Sequence, residues 1–400
     1  MATSSKRRFA RRMTSVHKSF IREILKVTEK PDVISFAGGL PNPGMFATEA
    51  FAKAAERVLS RDGAITLQYS TTEGFAPLRR WIADRYRTHK GVEVDPDLIL
   101  ITTGSQQCLD LAAKALVDAG DTVILERPGY LGSIQAFSLF EPRFVQVEMD
   151  DEGVLLGPLK KALSGDRVRV FNAVTNFQNP SGLTYSLERR KRAAELVNDS
   201  EAVLLEDDPY GELRFEGDTL PPMASFCRDK AILLGSFSKI AAPGFRLGWM
   251  VAPPDIYEKA VIAKQAADLH TSTLTQRALF EYLTTNDLDA HVARIKRGYK
   301  RQRDCMLEAI QQYFPERVDY TRPEGGMFIW VRLPDGLSAL DLLEKAVDYK
   351  VAFVPGAPFY ADGGGQSTLR LNFSNSSEEQ IQEGVKRLGA CLEHCVKKAC

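Results

Sequence analysis

The sequence has no surplus of charge in either direction: Lys plus Arg and Asp plus Glu each number 52 in 400 residues. That balance removes any global electrostatic case for binding nucleic acid or an anionic membrane surface. Long apolar runs are also missing, and none approaches the about 20 residues that cross a bilayer. A basic cluster near the start (Lys6, Arg7, Arg8, Arg11, Arg12) is not followed by the apolar segment of a secretory signal. It reads as a solvated arm or a helix face, with an amphipathic transit peptide as the alternative. Cysteine is sparse. The six residues Cys108, Cys227, Cys305, Cys391, Cys395 and Cys400 form no disulfide framework of the small-secreted-domain kind, so a reducing cytoplasmic location is expected. Cys391, His394, Cys395 and Cys400 gather near the C-terminus, but their spacing matches no usual zinc pattern, and no metal site is expected. Internal repeats and low-complexity linkers are absent. What remains is 44% apolar and 26% charged, enough for a sizeable core, at a length that suggests two or three domains.

The most informative stretch that is present is Gly235-Ser236-Phe237-Ser238-Lys239, with Arg246 following. It comes directly after Ala231-Ile232-Leu233-Leu234, a short apolar run that predicts a buried strand. A lysine held at a strand end, flanked by hydroxyls and an arginine, can form a Schiff base with an aldehyde cofactor while its neighbours hold a phosphate. Alone, the same pentapeptide also fits a surface lysine in a Ser/Gly loop.

The surrounding pattern resolves that ambiguity. Residues 14–30 carry Val16, Phe20, Ile24 and Val27 at helical spacing, and Pro31 ends the pattern. From residue 98 onward, short apolar strands alternate with helices: strands over 98–102, 122–125, 143–147, 168–174, 202–205, 231–234 and 247–251. This predicts an α/β three-layer sandwich with a mainly parallel mixed sheet covered on both faces. Ser105 occupies a predicted helix N-cap, where free N–H groups and the helix dipole favour an anion. Gly104, Tyr130, Asn179, Asp207 and Lys239 are each expected just past a strand end. Ligands on such sheets bind beyond the strand C-termini, so these residues are expected to converge on one rim. After about residue 286 the pattern changes to a smaller α+β unit, with strands over 325–331, 351–354 and 368–373 and a last helix over 377–397. In 368–373, Leu369, Leu371 and Phe373 share one face, and Arg370 and Asn372 the other.

With these motifs in order, the chain resembles the fold-type-I aminotransferases that use pyridoxal 5'-phosphate, and within them the 2-aminoadipate, kynurenine and lysine-pathway subgroup. The resemblance runs from about Phe20 to the C-terminus. It rests on Ala37-Gly38-Gly39-Leu40-Pro41-Asn42-Pro43, Gly104-Ser105-Gln106-Gln107, Arg127-Pro128-Gly129-Tyr130, Asn179-Pro180-Ser181-Gly182, Glu206-Asp207-Asp208-Pro209-Tyr210, the Lys239 loop with Arg246, and Leu369-Arg370-Leu371-Asn372-Phe373.

The resemblance implies that Lys239 is the Schiff-base lysine and proton carrier, and that Asp207 is the carboxylate on the pyridine nitrogen. Asn179 and Tyr210 become hydrogen-bond donors to the ring's 3-oxygen, and Tyr130 the ring stacked on the cofactor. The backbone of Gly104, Ser105 and Gln106 forms the phosphate cup with Ser236, Ser238 and Arg246. Tyr69 is expected to reach the phosphate of a neighbouring subunit, so a homodimer with shared sites is expected. Arg370 is the implied clamp on the substrate carboxylate, assisted by Asn179. Arg22, Gly39, Leu40, Phe359 and Tyr360 are expected to shape the side-chain pocket. Three segments are expected: an N-terminal arm and covering loop over 1–45, a large cofactor-binding domain over 46–285, and a small domain over 286–400.

The expected activity is ping-pong amino transfer between an L-amino acid (2-aminoadipate-like, aromatic or branched) and a 2-oxo acid such as 2-oxoglutarate. The alternatives are another reaction on the same cofactor, β-elimination or decarboxylation, and a non-catalytic ligand-sensing module of a DNA-binding regulator. The last expects on the order of 60–80 further residues ahead of the fold, where about 20 precede the resemblance here.

Overall fold

The structure is a computed structural model that describes residues 9–14 and 32–399. Arg22, Cys400 and nearly all of the helix expected over 14–30 lie outside the described residues. The strands, in chain order, are β1 (Ile34–Ser35), β2 (Ile99–Thr102), β3 (Thr122–Arg127), β4 (Arg143–Asp150), β5 (Gly153–Val154), β6 (Val168–Ala173), β7 (Val203–Asp207), β8 (Ala231–Ser236), β9 (Gly248–Val251), β10 (Asp319–Tyr320), β11 (Phe328–Arg332), β12 (Val351–Ala352), β13 (Val354–Pro355) and β14 (Thr368–Asn372).

The main sheet has the order β2-β9-β8-β7-β6-β3-β4-β5. The run β8-β7-β6-β3-β4 is parallel, and β9 is antiparallel to both β8 and β2. Two reversals return β2 to the direction of the parallel block, so its C-terminal end shares their rim. The apolar strand sequences are explained by cover on both faces. Leu100, Val123, Leu125, Leu205, Ile232, Leu234 and Met250 lie on one face, against Leu109, Ala112 and Ala113 of helix Ser105–Leu116 and Ala260 of helix Pro254–Asp268. Alternate residues Ile124, Phe171 and Leu204 lie on the other, against helices Leu156–Leu163 and Leu187–Asn198.

A four-stranded antiparallel sheet, β10-β11-β14-β13, and a two-stranded parallel pair, β1-β12, make up the second unit. The expected strand over 351–354 divides between these two sheets. Val351 and Ala352 pair with β1, and Val354 and Pro355 with β14, as the chain crosses from one to the other at the buried Phe353. The expected strand over 325–331 begins only at Phe328, because Gly326 sits at φ +71, outside the strand region. Both faces of β14 are buried, so Arg370 and Asn372 lie in the interior although their face of the strand is polar.

One buried cation ties the sheet to the loops above it. Arg190 is completely buried, and its guanidinium donates to the carbonyls of Tyr185 (3.0 Å), Pro221 (2.9 Å) and Thr175 (3.0 Å) and to Asn176 Oδ1 (2.6 Å). Thr175 and Asn176 begin the segment that delivers Asn179. Arg190→Met keeps the volume but takes the donor from the Tyr185 and Pro221 carbonyls and Asn176 Oδ1, while the Thr175 carbonyl keeps only the Tyr185 N–H. The expected loss is about 3 kcal/mol or more of folding stability, read as a lower urea midpoint at unchanged slope; a loss below about 1 kcal/mol contradicts this role.

Candidate active site

The parallel strands deliver their following residues to one rim, as expected, with two corrections of detail. Asp207 is the last residue of β7, paired with Leu234 of β8, rather than the first residue of the loop beyond. Ser105 is not the N-cap of its helix. Gly104 takes that position at φ +79 and ψ +165, and Ser105 is the first helical residue, with no side-chain cap. Only glycine suits that backbone, and a Cβ there would lie 2.6 Å from Arg246 Nη2.

Asp207 is 1% exposed, and burial, with the neighbouring Asp208 carboxylate, pushes its carboxyl up to about 7. Its Oδ1 has no hydrogen-bond partner among the described residues. A buried carboxylate oxygen without a donor is uncommon and marks a place ready for a ligand's N–H. Lys239 follows β8 and donates from Nζ to the Gly39 carbonyl at 2.9 Å. Burial, with Arg370 and Arg246 nearby, pulls its ammonium down to about 8. The side chain is therefore partly a free amine at mildly alkaline pH. Tyr130 and Tyr210 both lie within electrostatic reach of Asp207 and Arg370. Burial raises both phenols, Tyr130 to about 12, so each stays protonated and able to donate.

Arg370 crosses from β14 into this site. Nη1 donates to Asn179 Oδ1 and Nη2 to the Ala37 carbonyl, both at 2.7 Å, and Nε has no partner among the described residues. The guanidinium sits 4.3 Å from the Phe328 ring and 5.5 Å from Phe359. Burial lowers it only to about 10, so it remains a cation. Asn179 Nδ2 reaches Tyr210 Oη at 3.4 Å, which links the two donors. Gly39 passes close enough to Phe328 that a Cβ would come within 3.2 Å of the ring, and Leu40 is half exposed with its carbonyl held by Ser374.

The anion cradle forms at the other end of the group. Ser236 Oγ donates to Ser238 Oγ at 2.9 Å and accepts from the Ser238 N–H at 3.1 Å. Arg246, in a left-handed conformation at φ +51, reaches the Thr103 carbonyl at 3.4 Å. Gln106 turns its side chain to the Gly132 carbonyl at 2.9 Å, leaving its backbone at the helix start.

Two residues lie outside this group. Tyr69, expected at the phosphate of a neighbouring subunit, is 78% exposed, with its ring 5.8 Å from that of His270. Tyr360 is stacked on the Arg127 guanidinium at 4.9 Å and lies beside the site.

Sequence reading missed a buried support. Glu126, inside the apolar strand β3, accepts from Tyr185 Oη (2.8 Å), Gln178 Nε2 (3.0 Å) and the Val174 N–H (3.1 Å), and burial pushes it up to about 7. Gln178 in turn donates to the Pro128 carbonyl, so one acid holds both the Tyr130 turn and the Asn179 loop. The acid in an otherwise apolar strand was the available signal. Lys90 and Asp208 form a second buried pair at 3.6 Å behind Asp207.

A lysine amine, a buried carboxylate, two serine hydroxyls beside an arginine, and a second, buried arginine gather on one α/β rim. Residues 32–388 match the family described as Aminotransferase class I and II, and the chain belongs to it. It is a pyridoxal-phosphate-dependent aminotransferase. It is 45% identical to the 2-aminoadipate transaminase of Thermus thermophilus, over 94% of each chain. It is 42% identical to aromatic-amino-acid aminotransferase 1 of Thermococcus litoralis, over 98% of this chain and 95% of the relative. The crystal structure of LysN, the α-aminoadipate aminotransferase of Thermus thermophilus complexed with N-(5'-phosphopyridoxyl)-L-leucine, superposes with a TM-score of 0.91 at 43% identity, over 98% of both chains.

The Asp207 shift has a measurable consequence. Its folded value, about 7, lies above its unfolded value of 3.8. The cofactor-free protein therefore carries a penalty that is absent below the unfolded value and complete above about pH 7. Asp207→Asn is expected to stabilise the cofactor-free protein at pH 8 by on the order of 2–4 kcal/mol, with the gain shrinking as pH falls toward 5. Urea titrations at several pH values check this; equal stability at pH 8 contradicts it.

Proposed function

We propose that the chain transfers the amino group of an L-amino acid, 2-aminoadipate-like, aromatic or branched, to a 2-oxo acid such as 2-oxoglutarate, with Lys239, Asp207 and Arg370 as its central residues. The observation that carries the assignment is the unpartnered Asp207 Oδ1 on the same rim as an amine of lowered pKa. When bound, pyridoxal phosphate supplies the aldehyde that takes up the amino group and the ring that withdraws electrons as Cα loses its proton.

Asp207 keeps a proton on the pyridine nitrogen, and as a carboxylate beside that cation it is no longer penalised for ionising. Gly104, Ser105 and Gln106 with Ser236, Ser238 and Arg246 hold the phosphate by backbone N–H groups, hydroxyls and a guanidinium. Tyr130 would cover the ring, and Tyr210 and Asn179 would donate toward the 3-oxygen. Lys239, as a free amine, would move a proton between substrate Cα and cofactor C4′. Arg370 binds the substrate carboxylate; its Nη groups are braced by Asn179 and Ala37, and its free Nε supports a further acceptor there. Gly39 and Leu40 border the substrate side chain, and Arg22 meets an acidic one.

A homodimer belongs to this reading. Its support is the exposure of Ile65, Leu67, Tyr69 and Leu269, an apolar group around the residue assigned to the neighbouring subunit's phosphate. The segments 1–45, 46–285 and 286–400 act as covering arm, cofactor domain and small domain. The proposed compartment is the cytoplasm, supported by free cysteines.

The purified protein is expected to show a visible cofactor band that moves to the near ultraviolet on adding glutamate and returns with a 2-oxo acid. Oxo acid released with no amino transfer to an acceptor overturns the proposal. Lys239→Ala is expected to retain cofactor and lose turnover by about 10³-fold or more. Arg370→Met is expected to lower kcat/KM for amino and oxo acids alike by about 100-fold. A loss confined to one partner in steady-state assays contradicts the clamp.

A further inference from the structure

Lys264, in the last turn of helix Pro254–Asp268, is a fully buried cation with no place in the chemistry above. Its Nζ donates to Asp268 Oδ1 (2.8 Å), Asp268 Oδ2 (3.0 Å) and Gln107 Oε1 (2.9 Å), which uses all three of its protons. The acceptors are themselves engaged. Gln107 Oε1 also takes the Thr103 N–H at 2.8 Å, and Asp268 Oδ2 also takes Gln107 Nε2 at 2.8 Å and Thr103 Oγ1 at 3.2 Å.

Every bond in this cluster outside the Lys264–Asp268 pair thus ends on Thr103 or Gln107. These two residues bracket Gly104, Ser105 and Gln106, and Arg246 holds Thr103 through its carbonyl from the cradle side. Desolvating an ammonium costs several kcal/mol, which pairing with Asp268, whose side chain is 30% exposed, repays only in part. Stability alone therefore explains poorly why a cation is kept where an apolar side chain would pack.

The backbone beyond the pair is also unusual. Leu269 has φ +62 and ψ −62, and the His270 N–H returns to the Asp268 carbonyl at 2.7 Å. This is the rare, strained hand of the three-residue γ-turn. Strain of this kind persists where the surroundings impose a geometry, and here it stops the helix at the residue whose carboxylate grips Thr103 and Gln107.

We infer that Lys264 and Asp268 are positioning residues that fix, from behind, the Thr103–Gln107 backbone cupping the cofactor phosphate. The inference rests on the cofactor assignment proposed above. Without the Lys264 charge, Asp268 faces the cradle uncompensated, which weakens the hold on a dianion; with Thr103 released, the cup N–H groups lose their fixed orientation. Both effects act on the phosphate end of the ligand.

The test uses the full-length chain freed of cofactor and compares dissociation constants for pyridoxal phosphate and for pyridoxal, which lacks the phosphate. Lys264→Met is expected to raise the first by about tenfold or more and the second by less than about twofold, and to weaken competition by inorganic phosphate in parallel. Thr103→Ala, at an exposed position, is expected to raise the first by about two- to fivefold. Equal weakening of both ligands, or wild-type affinity for pyridoxal phosphate in folded variants, overturns the inference. If Lys264→Met does not fold, Thr103→Ala decides the matter. Arg246→Ala separates this inference from the reading beneath it. If that substitution weakens pyridoxal phosphate and pyridoxal equally, the phosphate-cup assignment itself fails. If it weakens pyridoxal phosphate selectively while Lys264→Met and Thr103→Ala do not, only the positioning role fails.

Discussion

The desolvation of charge at the ends of parallel strands is the constraint on which this structure depends. Asp207, Lys239 and Arg370 are three ionisable side chains drawn into one low-dielectric pocket, and each is pushed toward its neutral form. Among the described residues, Asp207 keeps an oxygen and Arg370 an Nε without a partner. The rim is thereby incomplete in the chemical sense that suits a cofactor whose pyridine nitrogen and phosphate carry the complementary groups. An interior that satisfied all three would be more stable and would have nothing to offer a ligand.

Much of the remaining polar interior supports that rim. Glu126, Gln178 and Tyr185 hold the turns carrying Tyr130 and Asn179, and Arg190 with Glu206 fastens the segments below them. Lys264 and Asp268 form a comparable cluster under the anion cradle. Such networks tolerate the interior only when nearly all members are bonded, and here nearly all are. Their hydrogen bonds run to the strands and turns that carry the rim residues, so they stiffen those turns.

The second unit contributes through a small number of contacts. Arg370 spans from β14 to Asn179, the Ala37 carbonyl accepts its other Nη, and the Phe359 carbonyl accepts the Gly129 N–H beside Tyr130. Substrate-carboxylate recognition, as proposed, therefore depends on the packing of β14 against the main sheet as much as on the rim itself.

The sequence by itself determined the alternating strands and helices, the two-faced burial of the main sheet and the residues that meet at its rim. These follow from local signals: apolar runs, turn residues and the spacing of Gly, Ser, Lys and Arg. It also carried the family resemblance, because the cofactor's chemistry requires those residue types at those strand ends. Tertiary structure alone decided that Gly104 rather than Ser105 caps its helix, since the reason is the guanidinium of Arg246, more than a hundred residues away. It decided that residues 351–355 divide between two sheets, that Arg370 is buried on a strand face that reads as polar, and that Glu126 and Lys264 are buried and hydrogen-bonded inside the fold. Each of these depends on which distant partner lies within hydrogen-bond reach, and neither spacing nor composition encodes that before the chain has packed.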